Sequence, residues 1–264
     1  MNTPLIWKEI LQELPSPAVV TLIGGGGKTG LLYYLVNHLN SLGIRAVAAT
    51  TTKLSALRRD SRFIEIHSIT EGCELLRNRI EEQAAVTLVY GKDHNNPEKM
   101  MGIPREWVDQ LAQQFPQSIF LVEGDGSAGR SLKGHLSHEP VIPASTRLVI
   151  PVIGIDILGA PLNSHFVHRP ERVTQMTGAP AETVITTEMV LQLLFHSEGY
   201  LSQCPPNSQV LPFINKVEDS LGFRQAQQLA EGILSRQHTQ IQNVVVGSLA
   251  RQEFFRVMDT RRIL

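Results

Sequence analysis

Apolar and polar positions along this chain fall into blocks that have the lengths of strands and helices. Short, nearly continuous apolar runs, which are typical of strands buried on both faces, recur along the sequence. They predict strands at residues 18–23, 44–49, 63–66, 86–90, 118–122, 147–152, 210–214 and 241–246. Longer segments with apolar residues spaced three and four apart predict helices at residues 5–14, 31–39, 69–82, 105–115, 187–195 and 221–235.

The order of these elements predicts the fold class. Strands alternate with helices almost throughout, which indicates an α/β protein with a mostly parallel sheet and helices on both faces, a three-layer sandwich like that of P-loop NTPases. Residues 91–104 are polar and predict a loop, and Pro212 is unfavourable in its strand because it lacks an N–H. We expect a single domain over residues 1–264, with room for a small lid or insertion around residues 155–208.

The composition narrows the class of function. A net charge of −1 predicts no broad attraction to nucleic acid or to a membrane. The two cysteines, Cys73 and Cys204, are too few and too far apart for a disulfide framework, which fits a reducing cytoplasm. No apolar run approaches the length needed to cross a bilayer, and charged residues interrupt the N-terminal apolar segment, unlike a signal peptide. We therefore expect a cytoplasmic protein.

A glycine-rich segment joins the first long apolar run to the helix that follows it. It reads Gly24, Gly25, Gly26, Gly27, Lys28, Thr29 and Gly30, a compact G-x-x-G-K-T form with Leu22 where the longer phosphate loop has glycine. Glycines let successive N–H groups point at one anion, and the helix N-terminus adds partial positive charge. Lys28 can reach the outer phosphates and the Thr29 hydroxyl can bind Mg²⁺. The segment predicts ATP or GTP with Mg²⁺ as cofactors.

The same segment permits a second interpretation. Residues 25–30 also fit G-x-G-x-x-G, the dinucleotide fingerprint, which needs an acidic residue at the end of the second strand. Residues 50–53 at that end are Thr-Thr-Thr-Lys, and the next acid is Asp60. An oxidoreductase would therefore have to bind NADP, with Lys53 or Arg58 on the extra phosphate.

Polar clusters stand at the ends of several predicted strands, which is where parallel sheets bind their ligands. They comprise residues 50–53 (with Thr51 and Thr52 as candidate nucleotide contacts), 123–130, 154–156, 215–218 and 247–248. Glu123 and Asp125 are the acids expected to hold Mg²⁺ opposite Thr29 and, with Lys28, to serve catalysis. Which acid binds the metal and which positions water stays open. The glycines at 124, 126 and 129 would let this segment move with the γ-phosphate.

The segment Asn215-Lys216-Val217-Glu218 resembles the N-K-x-D element that selects guanine in GTPases. Asn215 and Lys216 would frame the base, and Glu218 would accept hydrogen bonds from it. Glutamate is one methylene longer than aspartate, which weakens the case for guanine and leaves ATP against GTP open.

Histidines form two pairs at a spacing of three, His135 with His138 and His165 with His168. Such pairs could hold a metal on a helix, but Gly134, Pro140 and Pro170 favour loops. Arg130 and Lys133 adjoin the first pair, so Arg130, Lys133, His135 and His138 are candidate ligands of an anionic substrate. Asp156 is a further candidate substrate residue.

These motifs together resemble the YqeC family. The matching segments are residues 23–29, 50–53, 123–135 (E-G-D-G-S-A-G-R followed by S-L-K-G-H), 138–143 (H-E-P-V-I-P), 152–156, 168–171 and 215–218. Ser131 stands where the family pattern has proline, a departure that we expect to leave the predicted nucleotide site untouched.

The resemblance implies a pathway more than a reaction. The family is named for accessory factors of selenium-dependent molybdenum hydroxylases, so the implied partners are such a hydroxylase or its cofactor-maturation proteins. With the residues above, it predicts a protein that hydrolyses ATP or GTP with Mg²⁺, either as an NTPase or as an NTP-dependent transferase or ligase. The alternatives are a nucleotide-dependent switch or scaffold and the NADP-binding oxidoreductase.

Overall fold

The computed structural model describes residues 5–55, 63–81, 86–93 and 95–258. Its helices are α1 (Leu5–Gln12), α2 (Lys28–Ser41), α3 (Ile69–Glu81), α4 (Arg105–Gln114), α5 (Pro170–Thr177), α6 (Thr187–Phe195) and α7 (Ser220–Ser235). Its strands are β1 (Ala18–Gly24), β2 (Ala46–Thr50), β3 (Leu54–Ser55), β4 (Phe63–Glu65), β5 (Val86–Val89), β6 (Gly91–Asp93), β7 (Asn96–Met101), β8 (Ile119–Glu123), β9 (Leu132–Lys133), β10 (Thr146–Gly154), β11 (Val167–His168), β12 (Gln209–Val210), β13 (Phe213–Asn215), β14 (Asn243–Ser248) and β15 (Glu253–Met258).

One large sheet organises the fold. Its strand order is β15-β14-β13-β10-β1-β8-β2-β5-β4, with β12 also paired to β10, which makes ten strands. The strands run parallel except β15, which is antiparallel to β14. Strand β1 lies at the centre between β8 and β10. The glycine-rich segment that follows β1 is therefore flanked by the ends of two neighbouring strands.

Helices cover both faces of this sheet. Side chains alternate between the faces along each strand, so Ile119 and Leu121 of β8 pack in one core cluster with α1 and α2. Phe120 and Val122 of the same strand pack with α3 and α4 on the opposite face. Helices α5, α6 and α7 pack in a third cluster with alternate residues of β10 and β14. The expected α/β class, a mostly parallel sheet between two helical layers, is confirmed.

Two local expectations are wrong, and two elements were not expected. Residues 91–104 are not a plain loop, because β6 and β7 form a hairpin that pairs with β3 in a three-stranded sheet. The single strand expected at residues 210–214 is two strands, β12 and β13, separated at Leu211 and Pro212. Strand β15 and the helix α5 carried no clear apolar pattern and were not expected.

The segment around residues 155–208, where a lid or insertion was expected, contains β11, α5 and α6. Its apolar side chains pack in one cluster with α7, β10 and β14, so this segment shares a core with the sheet. Among the helices that the structure describes, none is both long and apolar enough to cross a membrane.

Candidate functional site

The ends of five strands, β1, β2, β8, β10 and β13, lie along one edge of the sheet. The parallel register sets Leu22 beside Glu123, Gly24 beside Val152 and Gly154 beside Asn215. Thr50 lies beside Glu123 on the other side of β8. The glycine loop, residues 24–27, therefore begins in the middle of this edge.

The backbone of the glycine loop requires glycine. Gly24, Gly26 and Gly27 have φ angles of 93°, 71° and 112°, which residues with a side chain rarely adopt. Neighbouring groups also approach closely: a Cβ atom on Gly26 would lie 2.2 Å from the nitrogen of Gly154, and one on Gly25 would lie 2.7 Å from the Arg130 carbonyl oxygen. The four glycines are thus explained by conformation and by close packing.

The amides of the loop fall into two sets. The first three are engaged: Gly24 donates to the Asp125 carboxylate at 2.9 and 3.0 Å, Gly25 to the Val152 carbonyl at 3.0 Å, and Gly26 to the Arg130 carbonyl at 2.8 Å. The amides at the start of α2, residues 28–30, find no acceptor in the part of the chain that the structure describes. Those amides carry the positive end of the helix dipole.

Lys28 is buried, with 2% of its surface exposed. Its Nζ atom donates to the Gly24 carbonyl oxygen and to the Ser127 hydroxyl at 3.3 Å, and lies 3.0 Å from the Asp125 carboxylate. The ammonium group thus folds back across the glycine loop, and its charge is neutralised by Asp125.

Asp125 has no exposed surface. Burial alone would raise the pKa of its carboxyl group, but Lys28, His135 and Lys133 together hold that pKa far below its usual range. The Nε2 atom of His135 lies 2.5 Å from the carboxylate and Nζ of Lys133 lies 3.5 Å from it. Asp125 therefore stays ionised at the centre of a buried group of charges.

Glu123, two residues earlier, has the opposite character. Burial raises the pKa of its carboxyl group, and the nearby Lys28 ammonium and the Thr29 hydroxyl offset that effect only in part. Thr29 donates to its carboxylate at 2.8 Å, and no ion pair to Glu123 forms among the residues of known placement. The carboxylate and the hydroxyl thus form a pair of oxygen groups beside the first turn of α2.

The buried charges continue towards α5. Lys133 donates to the Gly126 carbonyl oxygen at 2.6 Å and pairs with Glu139 at 3.0 Å. Glu139 in turn takes a two-pronged contact from Arg169, which precedes α5. His135 packs edge-on against Tyr200, with ring centroids 4.6 Å apart, and its Nδ1 atom has no partner in the described ranges. This chain of charges links the glycine loop to the α5 segment.

Asn215 joins the glycine loop to the last parallel strand. Its side-chain amide donates to the Gly26 carbonyl oxygen at 2.7 Å, and its oxygen accepts from the Leu249 amide at 2.9 Å. Lys216 follows with a φ of 64° and donates to the Ser131 hydroxyl at 2.6 Å and to Asp156 at 2.8 Å. The Asn215 side chain therefore positions the loop in this structure.

Glu218 lines a cleft of about 400 Å³ next to this junction. The Ser248 hydroxyl donates to its carboxylate at 2.7 Å, and Arg251 pairs with it at 3.2 Å. The cleft is also lined by Phe223, Arg224, Gly247, Glu253 and Phe255. Its lining combines aromatic side chains with charged and hydroxyl side chains, some of which donate hydrogen bonds and some of which accept them.

The residues after β2 lie beside Glu123 but point in several directions. Thr51 donates from its hydroxyl to the Val141 carbonyl at 2.7 Å and from its amide to the Glu123 carbonyl at 3.1 Å. The Thr52 hydroxyl is buried without a partner in the described part of the chain. Lys53, a candidate contact of an NADP phosphate, pairs with Asp93 at 2.7 Å. Arg58, the other candidate, lies outside the described residues.

The candidate substrate residues do not all converge. Lys133 and His135 meet at Asp125, whereas Arg130 turns to the Ser164 carbonyl at 3.1 Å and His138 is exposed. Asp156 pairs with Lys216 at 2.8 Å. Neither histidine pair forms a metal cluster. Within the described ranges, no group of three or more His, Cys, Asp and Glu side chains could hold a metal ion.

Several residues of this site were missed from the sequence. Glu139 and Arg169 occur in the H-E-P and H-R-P segments. The only signal in the sequence for a role at this site was a charged residue next to proline. Tyr200, which packs on Gly24 and accepts from the Lys133 amide at 3.1 Å, gave no signal. Ser131 lies beside this loop: its carbonyl carbon packs on Gly25, and its hydroxyl accepts from Lys216 at 2.6 Å.

The buried charges predict a contrast between two lysines. Replacing Lys133 by methionine should lower the free energy of unfolding by about 3 kcal/mol, because buried Asp125 and Glu139 each lose a partner. The matched change Lys53→Met removes one ion pair at a lysine that is 52% exposed, and should cost under about 1 kcal/mol. Urea denaturation of both variants measures the difference; equal costs would contradict the assigned network.

Comparison with known proteins places this chain among its relatives. A family model described as "YqeC protein" matches residues 20–171, more than half of the chain, from β1 to the first turn of α5. The uncharacterized protein YqeC of Escherichia coli strain K12 is 29% identical over 208 residues, 76% of each chain. The chain belongs to the YqeC family.

Proposed function

We propose that this protein binds a nucleoside triphosphate with Mg²⁺ at the glycine loop and hydrolyses it. The observation that carries the proposal is the combination at the start of α2. Helix amides that have no acceptor among the described residues, the buried Lys28, and an oxygen pair formed by Thr29 and Glu123 lie together at the first turn of the helix. Anions bind at such helix starts because the amides and the helix dipole both favour negative charge.

The loop fits phosphate groups on the side of Gly27. Gly27 is exposed, whereas Gly25 and Gly26 are buried. The amides of residues 28–30 would donate to phosphate oxygens from this open side, and Lys28 would turn from the Gly24 carbonyl to the outer phosphates. Asp125 would then keep Lys133 and His135 as partners, so no buried carboxylate would be left without a countercharge.

The residues beside the loop also fit a magnesium ion. Mg²⁺ prefers oxygen ligands and is usually held by one or two protein groups together with phosphates and water. Thr29 and Glu123 supply a hydroxyl and a carboxylate 2.8 Å apart, and Glu123 forms no ion pair in the described part of the chain. A bound cation would supply the missing countercharge and neutralise phosphate charge. Asp125 is less suited as a ligand because Gly24, Lys28 and His135 already surround its carboxylate.

In hydrolysis the chain would act mainly by position and charge. Lys28 and the α2 amides would stabilise negative charge on the transferred phosphoryl group, which is the main contribution proteins make to this reaction. Glu123, whose pKa is raised by burial, would accept hydrogen bonds from a metal-bound or attacking water. Ser127, at 3.3 Å from Lys28, lies close enough to follow the same phosphate.

The cleft at Glu218 is the proposed site of the base. It lies beyond Asn215 and Leu249, which connect it to the glycine loop. Phe223 and Phe255 offer aromatic surface, and the Glu218 carboxylate could accept from guanine hydrogens that adenine lacks. Because Ser248 and Arg251 already bind that carboxylate, the preference for GTP over ATP should be modest.

The biological role that we propose follows the family resemblance. The nucleotide would be used during maturation of a selenium-dependent molybdenum hydroxylase, with that enzyme or its cofactor-maturation proteins as partners. The charge chain that ends at Arg169 favours a second candidate, a switch that docks on a partner and turns over slowly, because it joins the glycine loop to the α5 segment. Hydrolysis that rises only when the partner is added would distinguish the switch from an independent NTPase.

The first test replaces Lys28 by alanine. Affinity for ATP and GTP should fall about tenfold, which is the lower end of the range expected for the loss of one charge-assisted hydrogen bond. The effect should be at the lower end because the substitution also removes the ion pair between Lys28 and Asp125 from the free protein. Isothermal titration with ATP, GTP and NADPH, with and without Mg²⁺, measures the effect, and thermal unfolding checks the fold. Lys53→Ala is the control. Unchanged ATP and GTP binding in Lys28→Ala, or NADPH binding lost in Lys53→Ala, would favour the dinucleotide alternative.

The second test concerns the oxygen pair. Glu123→Gln should lose turnover and at least about tenfold in Mg²⁺ affinity, while nucleotide still binds. Its stability should hold or rise at neutral pH, because the raised pKa means that burial disfavours the charged form of Glu123. Thr29→Ala should act on the same ion, so the double variant should lose less than the sum of the two, and Thr29→Ser should retain activity. If the losses in the double variant are additive, the two residues do not act on the same ion.

The third test concerns the base. The parent should bind GTP about fivefold more tightly than ATP, and Glu218→Ala should bring the two affinities together. Glu253→Ala, which changes another acid of the same cleft, should keep the preference. Equal binding of GTP and ATP by the parent, or a ratio that Glu218→Ala leaves unchanged, would remove the guanine assignment.

A further inference from the structure

We propose that residues 126–131, the covering segment, occlude part of the phosphate loop in the free protein and are displaced when a nucleotide binds. The proposal rests on the function proposed above and concerns the regulation of the same site. It predicts that the affinity for nucleotide is lower than the loop itself would allow, because part of the binding free energy is spent on moving the segment.

The covering segment contacts the backbone of the glycine loop directly. The Arg130 carbonyl accepts from the Gly26 amide at 2.8 Å. A Cβ atom on Gly25 would lie 2.7 Å from the Arg130 oxygen and 2.7 Å from the Ser131 carbonyl carbon, so no room for a phosphate remains between them. A phosphate that takes the Gly26 amide must therefore replace the Arg130 carbonyl.

The segment also helps to hold the lysine. Ser127 accepts from Lys28 at 3.3 Å, and Asp125, which immediately precedes the segment, pairs with the same ammonium group at 3.0 Å. In the free protein the three donors of the Lys28 ammonium are shared by Gly24, Ser127 and Asp125, so a phosphate that binds this charge must replace at least one of them. Nucleotide binding and the covering arrangement therefore compete for one side chain.

The two ends of the segment are anchored, and Arg130 is held to the Ser164 carbonyl at 3.1 Å, whereas Ala128 and Gly129 in the middle face solvent. Asp125 and Leu132 on either side are buried, and the Gly126 carbonyl binds Lys133 at 2.6 Å. Ser131 is held through Lys216 at 2.6 Å and through the Gly154 amide at 3.0 Å. Ala128 and Gly129 between them are exposed. The middle can thus move outwards without exposing apolar core.

The middle of the segment has a backbone conformation that favours glycine. Ala128 has a φ of 49° and Gly129 a φ of 76°, two successive residues in the left-handed region. A Cβ atom on Gly129 would meet nothing within 4 Å, so alanine there would add backbone strain without a clash. Gly129→Ala is therefore a change that destabilises the covering arrangement while leaving every contact of the loop in place.

The experiment compares two glycine variants. Gly129→Ala should raise the affinity for ATP or GTP with Mg²⁺ about fivefold, since a left-handed alanine is disfavoured and the displaced segment is free to relax. Gly43→Ala is the matched control: its φ is 75°, nothing lies within 4 Å, and it follows the far end of α2. Its affinity should equal that of the parent in isothermal titration.

Amide hydrogen exchange, followed by NMR without nucleotide, tests the contact itself. The Gly26 amide, bonded to the covering segment, should be protected in the parent and exchange about fivefold faster in Gly129→Ala. The Gly25 amide, bonded to Val152 of β10, should be unchanged and serves as the internal control.

The outcomes separate the two proposals. If the parent binds nucleotide and Gly129→Ala binds it no more tightly, the covering segment is not inhibitory and the proposed function stands. An unprotected Gly26 amide in the parent would also contradict the proposed covering arrangement. Binding by Gly129→Ala but not by the parent would support both proposals. If neither binds ATP or GTP, the proposed function fails and the displacement proposal fails with it, whatever the exchange rates.

Discussion

The buried ion pair between Lys28 and Asp125 is the interaction on which the rest of this site depends. Both side chains are at most 2% exposed, and an unpaired charge at such depth would cost several kcal/mol. The same Asp125 carboxylate accepts from the Gly24 amide, so it neutralises the lysine and fixes the first residue of the glycine loop. Lys133 and His135 complete its surroundings. One carboxylate thereby sets both the shape of the loop and the charge within it.

Two acids on one short segment acquire opposite properties from these surroundings. The pKa of Asp125 is held low by its cationic neighbours, whereas burial raises the pKa of Glu123, which has the Thr29 hydroxyl as its partner. Pairs of acids whose pKa values are pushed apart are typical of sites that divide a task between them. In the proposed function, Asp125 holds the lysine until a phosphate takes it, and Glu123 binds the cation. The covering segment begins directly after Asp125, the residue that holds Lys28.

The sequence predicted the sheet and the edge at which the polar residues meet, because buried parallel strands are continuous apolar runs. It predicted Lys28, Thr29, Glu123 and Asp125 as one cluster from their positions after strands. It did not predict how deeply these charges are buried, since Tyr200 approaches them from a distant part of the chain. Nor did it separate Asn215 as a positioning side chain from Glu218 in the cleft, because motif spacing says nothing about hydrogen-bond partners.

The most direct test of the central claim is a crystal structure of the protein with Mg²⁺ and a non-hydrolysable ATP or GTP analogue. We predict the phosphates on the amides of residues 28–30, with Nζ of Lys28 on a phosphate oxygen and no longer 3.0 Å from Asp125. We also predict that the bond from the Gly26 amide to the Arg130 carbonyl is broken. An analogue bound elsewhere, or a loop that keeps Lys28 on Asp125 with the analogue present, would contradict the claim.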